Sequence, residues 1–128
     1  MYELAIRRQF DAAHHLRGYS GRCARLHGHT WLVEVSVAGE KLDENGMLID
    51  FRELRLMVEE VVQELDHQYL NELSFFNQPG KETNPTAENI AHYIYRRLKS
   101  NLKPGLKLVK VNIWESSTAW ACYSEEVS

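Results

Sequence analysis

Residues 23–39 read CARLHGHTWLVEVSVAG and join a regular β-strand pattern to a closely spaced pair of histidines. From His27 to Gly39 large apolar side chains recur at every second position, with polar residues such as Glu34 between them. Successive side chains of a strand point to opposite faces of its sheet. We therefore predict a strand from His27 to Gly39 whose buried face also carries His29.

The remaining elements follow from the same periodicities, because apolar residues recur at strand or helix spacing. Asp50 followed by Glu53 resembles a capping box at the start of the first helix. In the last part of the chain, Val109, Val111 and Ile113 are expected to share a buried face. The predicted elements are strands over 2–10 and 27–39, a helix from Asp50 to Leu65, a loop over 72–85, a helix from about Asn84–Thr86 to Leu98, and a hairpin over 106–126.

The order ββααββ predicts an α+β fold, with an antiparallel sheet and two helices packed on one face. We expect residues 1–128 to form a single domain, since no linker or repeat interrupts the chain. The second face of the sheet must be polar or covered, and association with other copies could cover it.

The composition is typical of a soluble globular protein, with 44% hydrophobic and 26% charged residues. A net charge of −3 without a basic run argues against a nucleic-acid partner. No apolar stretch approaches the length of a membrane span or a signal peptide, and two cysteines are too few for a disulfide scaffold. We expect a cytoplasmic protein with reduced thiols.

Three histidines in the first strand pair indicate a metal site. His27 and His29 are at strand spacing, and His14 follows the phase of the first strand. Three imidazole ligands leave one coordination position open, which is typical of catalytic zinc. The alternative is a set of core or surface histidines, which a single histidine would favour but three together do not. His15 points elsewhere and is expected not to be a ligand.

Cys23 lies in a loop beside Arg22 and Arg25. A positive environment lowers the pKa of a thiol and favours the reactive thiolate. The residue could be a fourth zinc ligand, which would make the site structural, or a base beside an open metal. Its position in the sequence is compatible with both.

Five further positions are candidates for structural or functional roles. Asp66 and His67 could end a helix, or form a carboxylate–imidazole pair for proton transfer. Thr86 and Glu88 are suitable residues for the start of a helix. Glu115 is in phase with the buried face of its strand, where a carboxylate needs a partner, so we predict that it belongs to a site.

These segments together resemble the tetrahydropterin synthase family of the tunnelling fold, which includes 6-pyruvoyl- and 6-carboxy-tetrahydropterin synthases. The resemblance spans nearly the whole chain. The matching segments are FDAAH (10–14), CARLHGH (23–29), GMLIDF (46–51), LDHQYLN (65–71), NPTAEN (84–89) and WESST (114–118).

The resemblance implies a role for each candidate residue. It also implies trimers whose sheets close into a barrel and stack as hexamers. The implied roles are zinc ligands for His14, His27 and His29, the catalytic cysteine for Cys23, a proton relay for Asp66 and His67, the pterin anchor for Glu115, and the rest of the pterin pocket, often across a subunit boundary, for Thr86 and Glu88.

The spacing of three residues between Cys23 and His27 resembles the branch of the family that serves queuosine biosynthesis. The implied reaction converts 7,8-dihydroneopterin triphosphate to 6-carboxytetrahydropterin, with release of acetaldehyde and triphosphate. The alternatives are a 6-pyruvoyl-tetrahydropterin synthase, which keeps the carbon chain, and a zinc- or pterin-binding oligomer without turnover.

Overall fold

The computed structural model describes residues 1–125. Glu126, the last residue of the predicted hairpin, lies outside the described residues. Short 3-10 turns at Arg22–Ala24, Leu70–Glu72 and Ser74–Phe76 accompany the main elements. These main elements are β1 (Tyr2–His14), β2 (His27–Gly39), α1 (Phe51–Val62), β3 (Gln68–Tyr69), α2 (Ala87–Lys99), β4 (Lys107–Ser116) and β5 (Ala119–Tyr123).

The strands form one sheet in the order β3-β1-β2-β4-β5, and every pairing except β1–β3 is antiparallel. Helix α1 packs on β1, and α2 packs on β4 and β5. The centre of the core is β2, where Trp31, Val33, Val35 and Val37 are fully buried. The predicted α+β fold, an antiparallel sheet with two helices, is therefore confirmed.

The first strand is longer than predicted, and a short strand was missed. β1 continues past Phe10 to His14, because its register with β2 stays regular up to the pair His14–His27. β3 has two residues and pairs in parallel with Ala12 and Ala13. An element of that length carries no periodic signal, so the sequence could not reveal it.

The predicted buried face of β4 was wrong at Val109. Adjacent residues of β2 pair with Leu108 and Lys110, so Val109 is the extra residue of a β-bulge. The bulge shifts the alternation of side chains by one position. As a result Leu108 joins Val111 and Ile113 in the core.

The capping box predicted for α1 is only half formed. The Asp50 carboxylate accepts a hydrogen bond of 2.8 Å from the backbone N–H of Arg52 and caps the helix. Glu53 forms an ion pair with Lys103 instead of reaching back to the cap. Within residues 1–125, no helix has the length and apolar character needed to cross a membrane.

Candidate functional site

The three histidines converge on the side of the sheet that faces the helices. His14 ends β1 and pairs with His27, the first residue of β2, while His29 lies two positions further along. Their ring centroids are 4.5 to 5.1 Å apart. One potential ligand atom from each histidine and one from Glu115 all lie within 4.8 Å of one another. This geometry is compatible with a single shared cation.

Two hydrogen bonds determine which imidazole nitrogen is free to bind a metal. Nδ1 of His14 donates to the carbonyl oxygen of Pro85 at 2.7 Å, and Nδ1 of His27 donates to that of Arg25 at 2.6 Å. A carbonyl oxygen only accepts, so each Nδ1 carries the proton and each Nε2 keeps its lone pair. Carbonyl oxygens that accept a hydrogen bond from the other ring nitrogen orient the histidine ligands of metal sites in this way.

The Nε2 atoms of His14 and His29 are buried and have no hydrogen-bond partner. A buried polar atom without a partner costs about 1–3 kcal/mol, so it requires an explanation. A set of imidazole nitrogens suits zinc and similar transition metals. The side chains therefore fit a metal ion held by His14, His27 and His29.

Burial lowers the pKa of both His14 and His29, because desolvation disfavours the imidazolium. The carbonyl of Pro85 and the carboxylate of Glu115 act in the opposite direction on His14, and Glu115 does so on His29. The neutral imidazole is the form that binds a metal. Both side chains are therefore in their ligand form at neutral pH.

Glu115 lies beside the histidines at a bulge near the end of β4. Its Oε1 is 3.0 Å from Nε2 of His29 and 3.8 Å from Nε2 of His14, without forming a hydrogen bond to either. Trp114 and Ser116 pair with Trp120 and Ala119, which are consecutive residues, so Glu115 is the unpaired residue between them. Its side chain remains 38% exposed and can reach a ligand from solvent.

A second polar cluster surrounds Asp66 and His67. One carboxylate oxygen of Asp66 accepts from the backbone N–H of Asp11 at 3.0 Å, and the other lies 3.0 Å from Nδ1 of His67. These two interactions, with the Asp11 bond the larger, lower the pKa of Asp66. The backbone N–H of His67 donates to the carbonyl of Asp11 at 2.6 Å. The cluster holds an ionised carboxylate against an exposed imidazole.

The two clusters lie on opposite faces of the sheet within one chain. Asp11 alternates with the buried face of β1 that carries His14, so its carboxylate points to the open face, where it accepts from Oγ1 of Thr30 at 2.6 Å. His67 and Thr30 line an open cleft of about 600 Å³ on that side, and His29 also contributes to its lining. Sequence reasoning missed Asp11 and Thr30, although a charge near the end of an alternating strand was a usable signal.

His67 has an unusual backbone conformation. Its φ of 58° is the only positive value at a non-glycine residue in the described part of the chain. Histidine tolerates the left-handed region better than most residues, but the conformation is still uncommon. Such conformations cluster at functional sites. Here it turns the chain from the end of α1 into β3.

Cys23 is an exposed free thiol in the turn Arg22–Ala24. The structure does not place it in the group formed by the three histidines and Glu115. Its carbonyl oxygen accepts a hydrogen bond of 2.8 Å from the backbone N–H of Leu16. The loop of Cys23 is thereby connected to the segment that follows His14.

Thr86 and Glu88 lie at the start of α2. The hydroxyl of Thr86 accepts from the backbone N–H of Asn89 at 3.2 Å and caps the helix, and Glu88 lies in the first turn. The preceding residue, Pro85, is the one whose carbonyl accepts from His14. The start of α2 is therefore attached directly to the histidine group.

A separate groove of about 1040 Å³ lies at the opposite end of the sheet, lined by residues near Gly39 and Gly105. It contains none of the predicted site residues. Although this groove is larger, the convergence of unpartnered polar atoms is at the histidines, and we place the functional site there.

The chain is similar to several named proteins along most of its length. A 40% identical relative, over 89% of this chain and 90% of its own, is the dihydroneopterin monophosphate aldolase of Pyrococcus furiosus. The 6-carboxy-5,6,7,8-tetrahydropterin synthases of Synechocystis sp. (40%; 89% and 86% covered) and Haemophilus influenzae (31%; 98% and 100%) are also similar.

The solved structure of Caenorhabditis elegans 6-pyruvoyl tetrahydropterin synthase aligns with a TM-score of 0.81 and 29% identity, over 98% of each chain. The family model described as 6-pyruvoyl tetrahydropterin synthase matches residues 3–126. The chain belongs to the 6-pyruvoyl tetrahydropterin synthase family.

Proposed function

We propose that the protein is a zinc-dependent 6-carboxy-5,6,7,8-tetrahydropterin synthase. It would convert 7,8-dihydroneopterin triphosphate to 6-carboxytetrahydropterin, releasing acetaldehyde and triphosphate in the pathway to queuosine. The observation that carries the proposal is the three-histidine group, in which the Nε2 atoms of His14 and His29 are buried and unpartnered. The similarity to relatives named for this activity supports the choice of reaction.

The metal ligands are His14, His27 and His29, each of which offers one ligand atom within 4.8 Å of the others. A zinc ion bound there would supply Lewis-acid stabilisation of negative charge on the oxygens of the substrate side chain. Glu115 would accept hydrogen bonds from the amino-pyrimidinone edge of the pterin and so orient the ring. Thr86 and Glu88 would complete the pocket from the start of α2.

Proton transfer is assigned to Cys23 and to the pair Asp66 and His67. The Cys23 thiolate would remove and return protons at the side-chain carbons of the substrate, and His67, oriented by Asp66, would act as the second acid or base. Because His67 lies across the sheet from the histidines of its own chain, the pair would serve the site of an adjacent subunit.

The sheet of the single chain supports an oligomer, and we propose trimers stacked into hexamers. The open face of the sheet and the outer edge of β5 are free in the single chain, and such edges favour pairing with another copy. Trp120 lies on β5 opposite Trp114 and is 58% exposed. Association would bury this aromatic surface. We also propose that the protein is cytoplasmic and that its two thiols are reduced.

Product analysis tests the proposal. Zinc-loaded protein is incubated with 7,8-dihydroneopterin triphosphate, and the products are identified by mass spectrometry together with trapping of acetaldehyde. We expect 6-carboxytetrahydropterin and acetaldehyde in equal amounts. A pyruvoyl product without acetaldehyde would instead show a 6-pyruvoyl-tetrahydropterin synthase, the activity named by the family model.

The Cys23→Ala variant separates an enzyme from a binding protein. We expect it to retain zinc and to lose turnover by about 10²–10⁴-fold, the range for a general acid or base. Loss of zinc would instead identify Cys23 as a ligand in a structural site. Cys122→Ala is the matched control, because Cys122 is the second exposed free thiol.

A second candidate function is supported by the relative from Pyrococcus furiosus, which is 40% identical and named as an aldolase for dihydroneopterin monophosphate. Both candidates cleave the side chain of a dihydropterin. Parallel assays with the monophosphate and the triphosphate distinguish them. A higher kcat/KM for the monophosphate would favour the aldolase.

A further inference from the structure

Two buried asparagines hold the chain immediately after the metal-ligand residue His14. β1 ends at His14, and its pairing with β2 ends there too, at the pair His14–His27. Asn71 and Asn84 belong to segments that resemble the family, but no role has been assigned to either. Both are 7% exposed. A buried primary amide has two donors and one acceptor to satisfy, so its partners are informative.

Each amide forms both hydrogen bonds that a neighbouring strand would supply. Oδ1 of Asn71 accepts from the backbone N–H of His15 and its Nδ2 donates to the His15 carbonyl, both at 2.9 Å. Asn84 binds Arg17 in the same way, with both distances 3.0 Å. Residues two apart in an extended chain present their backbone groups to the same side. The two side chains therefore extend the edge pairing of β1 by two positions.

Leu16, which lies between His15 and Arg17, forms its backbone hydrogen bond on the opposite side of the segment. The backbone N–H of Leu16 donates to the carbonyl of Cys23 at 2.8 Å. The segment 15–17 is thus bound on one side by the asparagines and on the other by the Cys23 turn. Asn71 follows Asp66 and His67 along the chain, whereas Asn84 precedes Pro85, the acceptor of the His14 hydrogen bond.

We infer that Asn71 and Asn84 are positioning residues that hold the Cys23 turn in a defined place relative to His14. This inference rests on the proposed role of Cys23 in proton transfer. Asparagine is required because the backbone of residues 15 and 17 presents a donor and an acceptor together. Aspartate has nearly the same shape, but its ionised carboxylate cannot donate and would face a carbonyl oxygen.

The test uses the variants Asn71→Asp and Asn84→Asp in the zinc-loaded, full-length protein. Asn101→Asp, at an exposed position after α2, is the matched control. Turnover of 7,8-dihydroneopterin triphosphate is measured as separate kcat and KM values. Amide hydrogen exchange is followed in peptides covering residues 15–24 and in a peptide of β2.

We expect kcat to fall by about 10- to 100-fold in each variant, since small displacements of a reacting group cause losses of this size. KM should change by less than about twofold, because the pterin anchor at Glu115 is untouched. Exchange should accelerate at least about tenfold in residues 15–24 but not in β2, since opening of the segment is local.

Unchanged exchange in residues 15–24, or a kcat within twofold of the control, would overturn the inference. Acceleration in β2 as well would show a general structural role and would also overturn it. The exchange measurement remains informative if the protein does not act on this substrate, so failure of the proposed reaction is distinguishable. If one variant does not fold, the other carries the same test, because each amide binds a different residue.

Discussion

Oε1 of Glu115 lies 3.0 Å from Nε2 of His29, and both residues belong to the group of potential metal ligands that also includes His14 and His27. The two residues come from different strands, β2 and β4, whose pairing ends at Leu32 and Trp114. This contact is compatible with two roles for Glu115, the anchoring of a pterin and the ligation of a metal.

The variant Glu115→Gln distinguishes these roles. If Glu115 anchors the pterin, we expect weaker binding of neopterin by about 10- to 100-fold, the equivalent of losing a hydrogen bond to a charged group. Zinc content should not change. Neopterin fluorescence titration and metal analysis measure the two effects, with Glu44→Gln as an exposed control. Loss of zinc with unchanged neopterin affinity would identify a metal ligand.

Removal of a histidine should remove the metal. In His29→Ala we expect zinc affinity to fall by more than about 100-fold. Removal of a residue that only hydrogen-bonds a ligand already lowers metal affinity by up to about 100-fold, and loss of a ligand should cost more. Competition with a chromophoric chelator measures the affinity, and elemental analysis gives the zinc per chain. His92→Ala is the control, since His92 lies on α2 and stacks on Tyr123. Zinc binding equal to wild type would contradict the assignment.

The metal-free protein should lose stability as the pH falls from 7 towards 5. Burial lowers the pKa of His14 and His29 in the folded state, whereas the unfolded chain has a histidine pKa of about 6.5. At pH values between the lowered folded-state pKa and the unfolded-state pKa, the unfolded chain binds more protons than the folded protein. The free energy of unfolding therefore decreases as the pH falls. This contribution is fully present above about pH 6.5.

Urea unfolding of zinc-free protein at a series of pH values measures this slope. His14→Gln should show a smaller decrease over the same range, because a glutamine does not titrate. His92→Gln is the control and should retain the slope of the wild type. An equal slope in His14→Gln would show that the buried histidines do not cause the pH dependence.

An ion pair connects the segment after α1 with α2. Glu64 accepts from Nε and Nη2 of Arg97 at 3.0 and 2.6 Å, and from the hydroxyl of Tyr93. Arg97 holds the pKa of Glu64 below its usual range, and burial together with Glu64 raises the pKa of Tyr93 to about 12. The pair is partly exposed, so its contribution is modest.

We expect Glu64→Gln to lower the free energy of unfolding at pH 7 by about 1 kcal/mol, the upper range for an exposed ion pair. A carboxyl with a lowered pKa stabilises the fold above its unfolded value of about 4.3, and this effect is lost as pH falls through the folded pKa. The difference from wild type should therefore narrow in acid. Glu60→Gln, exposed on α1, is the control for urea unfolding; an equal loss there would refute a specific contribution.

The sequence predicted the main elements of the fold because their periodicities are strong. The stripe of α1 and the alternation of β2 both match the structure. Glu115 was assigned to a site because a carboxylate on a buried face needs a partner. His14 was assigned from the phase of β1, although the predicted strand ended four residues before it.

What the sequence could not reveal depends on contacts between distant segments. The displacement of Val109 by a bulge follows from pairing with β2, and β3 is defined by its pairing with the edge of β1 at Ala12 and Ala13. The separation of His67 from the histidine group has the same origin. A motif specifies which residues act, but the alternation of a strand decides on which face they are found.

The bulge at Glu115 makes the length of the terminal hairpin critical. Residues 116–119 at the turn are exposed, and substitutions in exposed turns are usually tolerated. An added or removed residue is different, because it moves every later side chain to the opposite face of the sheet. Members of the family are thus expected to keep the number of residues in this hairpin constant, so that Glu115 and Trp120 stay on their present faces.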